Sequence, residues 1–240
     1  MTSGVQLWGG REMRSASSWM SAKATRRVLA SVMSWMAVIS SRWSIRYWCQ
    51  DSTTDWARLV SAYIATQTFQ ARVLGATDGR GTTGLDEKYA AQYFQVVGAE
   101  IMGAGMFGFH TYPDDADWKG WWGDEPPFRC PVYVLTGTAP RPDLEMQGGT
   151  TFRFRNGAIE DVLAEAVAAA DGQDVRIGGG VSTARAFLRA GLVDQLHVAI
   201  APIVLGRGDR LWDDLRGLDL THEVTTEVAE SGTVHVTFSR

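Results

Sequence analysis

The stretch Asp174–Leu188, DVRIGGGVSTARAFL, has residue types and spacing suited to holding a phosphate. A buried strand is predicted over Asp174–Ile177, three glycines (Gly178, Gly179 and Gly180) turn the chain, and a helix follows over Ser182–Ala190. Ser182 is its expected cap and Gly191 its stop. A strand-to-helix turn of this kind aims unsatisfied backbone N–H groups at one spot, with the positive end of the helix dipole behind them. Glycine lets a phosphate approach the backbone closely, so the turn is a competent pyrophosphate cradle. The spacing is not G-x-G-x-x-G and no Walker lysine follows, which excludes a Rossmann fingerprint and a P-loop. By itself the motif reads equally well as a tight turn with no ligand.

Other residues with chemical potential are scattered. Trp118, Trp121 and Trp122 beside Lys119 could stack on a flat heterocycle, or form a lid packed on their own sheet. His197 lies on a predicted strand, where a lone histidine is usually a satisfied structural residue. His110, His222 and His235 have no partners at ligand spacing, so no metal site is expected. Cys49 and Cys130, without a CxxC, exclude a disulfide scaffold and a zinc ribbon and fit a cytoplasmic setting. A net charge of −4 argues against nucleic-acid or membrane-surface partners.

The elements that must position the turn alternate. Strands are predicted over Arg27–Met33, Ala99–Met102, Pro131–Thr136, Thr150–Phe154 and Leu196–Leu205, with a closing antiparallel pair, Leu220–Val228 and Thr233–Phe238. Helices are predicted over Trp56–Thr66, Asp86–Val97 and Gly157–Ala170. Strand and helix in alternation imply an α/β fold: a three-layer α/β/α sandwich with a mixed, mostly parallel sheet.

The N-terminus differs in composition. Residues 1–58 hold eight Lys/Arg against three Asp/Glu and six of the ten tryptophans. Residues 1–26 are expected to be a disordered extension, and 27–240 the folded domain. Lys23, Arg26 and Arg27 before the apolar run Val28–Ile39 mimic a secretory leader, but no small-x-small cleavage site follows.

Several separated motifs, in order, resemble one family. IGGGVSTARAFLRAGLVDQLHVAIAPIVLGRGDRLWDDL is similar to the C-terminal half of the dihydrofolate-reductase-like superfamily, in the branch containing the reductase domain of the riboflavin-biosynthesis deaminase-reductase. VGAEIMGAGMFG, DWKGWWGDEPPF, PVYVLT and GGTTFRF resemble stand-alone bacterial members of that RibD C-terminal family. The resemblance covers about residues 57–240. It implies a reductase that moves hydride from NADPH, or NADH, to a flat heterocyclic substrate, with a possible link to riboflavin biosynthesis and a homodimeric assembly. Gly178, Gly179, Gly180, Val181, Ser182 and Thr183 match the turn that holds the nicotinamide end and pyrophosphate. Thr136 matches a position beside the adenosine ribose phosphate, and Gly103, Met106 and Phe107 a second turn facing the phosphates. Ser34, Trp118 and Trp121 are the expected substrate contacts.

Two positions depart from the family pattern. Ala104 stands where members usually carry an arginine that pairs with the 2′-phosphate of NADPH, leaving Arg141 or Arg129 to compensate. After Met33-Ser34, Trp35-Met36-Ala37 replaces the expected Leu-Asp-Gly. One base restored before the Trp35 codon gives a hydrophobic residue followed by Asp-Gly, so residues 35 to about 55 read as translated out of frame. With that aspartate missing, no catalytic acid is named, and a catalytically impaired member that only binds nucleotide is the alternative.

Overall fold

The computed structural model describes residues 27–33, 55–109, 115, 117–137, 141–206, 208–213 and 215–240. The expected N-terminal extension, Ser34, the aberrant 35–54 stretch and His110 lie outside them.

Nine strands form one sheet: β1 Val28–Met33, β2 Ala99–Gly103, β3 Pro131–Leu135, β4 Leu144–Glu145, β5 Thr151–Arg155, β6 Val175–Gly179, β7 Gln195–Ile200, β8 Glu223–Val228 and β9 Val234–Ser239. Their spatial order is β4-β5-β3-β2-β6-β1-β7-β9-β8. β5, β3, β2, β6, β1 and β7 run parallel, while β4, β9 and β8 pair antiparallel at the two sides. The sheet is therefore mixed and mostly parallel, as expected.

Side-chain alternation sorts the strands onto two faces. On one face Ile101, Tyr133, Ile177, Leu196 and Val198 pack against helices α5, Ile159–Ala169, and α6, Val181–Arg189. On the other, Met102, Val132, Val134, Phe152 and Phe154 meet the short helix α4, Ala104–Phe107, and the tryptophan loop. Ala199 packs there too, against α1, Asp55–Ile64, α2, Gln67–Arg72, and α3, Leu85–Tyr93. A last helical turn, α7, covers Leu218–Thr221. β1 is anchored at its start by two aspartates: Asp174 accepts from the Arg27 N–H at 2.9 Å and Asp194 from the Val28 N–H at 2.8 Å.

Several boundaries differ from the sequence expectation, each for a physical reason. The helix expected over Trp56–Thr66 ends at Ile64, because Thr66 turns the chain and caps α2, its hydroxyl accepting from the Phe69 N–H at 3.3 Å. The helix expected over Asp86–Val97 ends at Tyr93, whose carbonyl accepts from the Arg176 guanidinium arriving from β6. The strand expected over Leu196–Leu205 stops at Ile200, since Pro202 has no N–H to continue the ladder and Ile203 N–H turns back to the Ala201 carbonyl. The strand expected from Leu220 begins at Glu223, after the turn α7.

Candidate active site

β2 and β6 lie side by side in parallel, yet their chains leave in opposite directions. β2 leads through α4 to β3 on one side, and β6 leads through α6 to β7, beyond β1, on the other. Such a reversal opens a crevice at the carboxyl ends of the strands, where ligands of open α/β sheets bind. Both helices that start there begin with a glycine in the capping position, Gly103 for α4 and Gly180 for α6, and neither has a side-chain cap. Ser182 is therefore not the cap. The extended residue is Gly180, whose carbonyl already accepts from the Ala184 N–H at 3.0 Å, so Ser182 is the second helical residue and is exposed.

The glycines of the crevice serve different ends. Gly179 has φ 113°, a conformation that a Cβ strains. A Cβ on Gly178 would lie 2.2 Å from Glu100 Oε1, and one on Gly103 would lie 2.4 Å from Thr183 Oγ1. These two let buried groups pack against the backbone; in particular, the Thr183 hydroxyl fits against Gly103 and joins the start of α6 to the end of β2. Gly180 is the exception. Its φ of −67° suits any residue, and a Cβ there meets no atom within 4 Å. The open side of the turn is at Gly180, which is what a cradle for a bound group requires.

Beneath the turn sits an ion pair that inspection of the sequence did not single out. Glu100 on β2 is fully buried, and its Oε2 accepts from Arg176 Nε at 3.0 Å and from a terminal guanidinium nitrogen at 2.5 Å. The guanidinium lies 4.4 Å over the Tyr93 ring. Glu100 Oε1, against Gly178, has no partner. Burial holds the Glu100 carboxyl above its ordinary range, and Arg176 opposes that rise. One acidic and one basic residue inside two apolar strand predictions was the available signal.

The other expected contacts are placed as follows. Thr136 is buried at the end of β3, its N–H donating to the Arg155 carbonyl at 2.8 Å. Met106 is half-buried, and Phe107 is fully buried among Phe109, Phe152 and Phe154. Trp118 and Trp121 are brought to the C-terminal end of α4: the indole N–H of Trp118 donates to the Phe107 carbonyl at 2.8 Å and that of Trp121 to the Met106 carbonyl at 3.1 Å. They satisfy the carbonyls that a helix end leaves open, so the tryptophan loop straps α4 in place. Arg141, one of the two candidates to replace the arginine absent at position 104, donates to the carbonyls of Trp118 and Asp115 and lies over Phe109. Arg129, the other, is exposed and 3.8 Å from Glu125.

A second polar group lies on the α1–α4 face. His197 Nε2 is 3.1 Å from His235 Nδ1, and His235 Nε2 is 3.0 Å from Asp86 Oδ1. The Tyr89 ring stacks on both imidazoles at 4.2 Å. His197 is thus a satisfied residue, and His235, which had no partner at sequence spacing, is its neighbour across β7 and β9. Burial, assisted by His235, lowers the His197 pKa from 6.5 to about 3. A histidine held neutral binds its proton more weakly in the folded than in the unfolded chain. Its contribution to stability is complete above pH 6.5 and is lost as pH falls towards about 3. Urea unfolding midpoints should fall across that window, and His197→Gln should flatten the fall.

Among the described residues there is no group of three metal-ligating side chains. None of their helices is long and apolar enough to cross a membrane. Burial pushes the Cys130 thiol up to about 12, so it is inert.

Comparisons with known proteins agree with this architecture. A stretch of 67 residues is 34% identical to the uncharacterized protein YyaP of Bacillus subtilis, covering 28% of this chain and 36% of that protein. A solved protein assigned to riboflavin biosynthesis, from Shewanella sp. PV-4, is 23% identical over 62% of this chain and 77% of its own, with a TM-score of 0.43. Dihydrofolate reductase from Enterococcus faecalis, solved with NADP(H), is 15% identical over 68% and 86%, with a TM-score of 0.40. The model of the RibD C-terminal domain matches residues 71–234, more than half the chain. With a glycine turn at the switch point of a mixed sheet and that match across its length, the chain belongs to the RibD C-terminal domain family of oxidoreductases.

Proposed function

We propose that this protein is a cytoplasmic, homodimeric reductase that uses NADPH to reduce a flat heterocycle, such as a pterin or the ribosylaminouracil of riboflavin biosynthesis. The observation that carries the reading is the open backbone at Gly180, set at the sheet's reversal point at the start of a nine-residue helix. Gly179, Gly180, Val181 and Ser182 would hold the dinucleotide, with N–H groups and the helix dipole meeting its phosphates. Gly103 supports the neighbouring turn. When bound, the nicotinamide supplies the hydride. The chain supplies orientation and a preset electrostatic surface. The strap of Trp118 and Trp121 on α4 keeps that turn rigid.

Selectivity between NADPH and NADH is expected to be weak, because Ala104 offers no fork for a 2′-phosphate. Ala104→Arg should raise the preference for NADPH by about tenfold or more, as a charge-assisted phosphate contact is worth about 1.5–3 kcal/mol. Paired titrations of the two cofactors measure it. The reading as a whole is tested by following NADPH oxidation with pterins and aminouracils. Turnover supports it, and cofactor binding without turnover on any of them gives the impaired member instead. Light scattering of the purified chain tests the dimer.

A further inference from the structure

The Asp86–His235–His197 chain ends on a nitrogen with no partner among the described residues, His197 Nδ1. That end faces the same side of the sheet as Glu100 and Arg176, since all three alternate with residues of the α5–α6 face. Register fixes its height. Ile177 pairs with Ala30, and Ser31 pairs with His197, so Gly178 stands level with His197 across the single intervening strand β1. Two strand spacings put them about 10 Å apart, the span of a fused bicyclic ring.

Hydrogen-bond chemistry then sets which way the chain points. An ionised carboxylate only accepts, so Asp86 requires the proton of a neutral His235 on Nε2. His235 Nδ1 is then a lone pair and accepts from His197 Nε2–H. His197 is left with a bare Nδ1. Tyr89, stacked flat on both rings, holds their planes, and its hydroxyl is fixed by donating to Glu227. Nothing in this chain of bonds is local in sequence.

We propose that His197 Nδ1 is a specificity-determining acceptor for a ring N–H or amino group of the substrate, so that the heterocycle is one presenting a donor edge, as pyrimidinones and pterins do. The inference rests on the reductase reading and adds the polarity of the substrate's recognised edge. A site built to accept from an N–H discriminates strongly against an analogue that lacks it. Asp86 and His235 act through His197 and are positioning residues.

The four histidines allow a direct test by ¹⁵N NMR of histidine-labelled full-length protein, with His197→Asn providing the assignment. The expected result is a neutral His197 protonated at Nε2 with Nδ1 bare; a proton on Nδ1 overturns the proposal. Asp86→Asn, which can donate as well as accept, should mix the two tautomers, and an unchanged tautomer also overturns it. With NADPH bound, 5-aminouracil should move the Nδ1 resonance, and 1,3-dimethyluracil should bind about tenfold more weakly or worse. Movement with neither, or equally with both, overturns the acceptor assignment and leaves the reductase reading standing. Failure of NADPH itself to bind removes that reading, and the proposal with it.

Discussion

Glu100→Ala should destabilise the protein by about 3–5 kcal/mol, the usual result of stripping one partner from a buried ion pair. Arg176 is almost fully buried, with its guanidinium held between Glu100, the Tyr93 carbonyl and the Tyr93 ring. Without Glu100 it keeps one carbonyl and a π face for a whole charge. The damage should also reach α3, whose last carbonyl depends on Arg176. Arg176→Met should cost a comparable amount by leaving the carboxylate alone under Gly178. The double replacement, Glu100→Leu with Arg176→Met, should recover much of the loss, because two apolar side chains carry no desolvation cost. Urea unfolding of the four proteins measures this. If the double mutant is no more stable than the worse single one, the pair is not the unit described.

Gly180→Val should leave folding within about 1 kcal/mol of the parent while weakening NADPH binding by about tenfold or more, a loss of at least about 1.4 kcal/mol. The separation rests on geometry. The backbone at Gly180 suits any residue and its Cβ direction is open, so valine displaces nothing in the protein and occupies only the space kept for a ligand. Neighbouring glycines cannot give so clean an answer. Alanine at 178 would strike Glu100, and any side chain at 179 would be strained at φ 113°. Those variants should lose stability and binding together.

The glycine turn was legible in the sequence because everything that makes it is local: an apolar strand, three glycines and a helical stripe within fifteen residues. The order of elements followed for the same reason, and the separated motifs brought the family. What the sequence did not reveal depends on distance. Glu100 and Arg176 are 76 residues apart, and their pairing ends α3 one turn early. His197 and His235 meet only because β7 and β9 are antiparallel neighbours, and Asp86 joins them from a helix 149 residues away from His235. The tryptophan loop was readable as aromatic but not as a strap, since its partners are backbone carbonyls that no residue type announces.

The central claim is that the crevice between β2 and β6 binds a nicotinamide dinucleotide through the turn at Gly180. Titration of the intact chain with NADPH, with Gly180→Val beside it and folding checked by urea unfolding, tests this most directly. Saturable binding by the parent and its loss in an equally stable Gly180→Val variant is the predicted result. No binding by the parent, or binding unaffected by valine at 180, would contradict it.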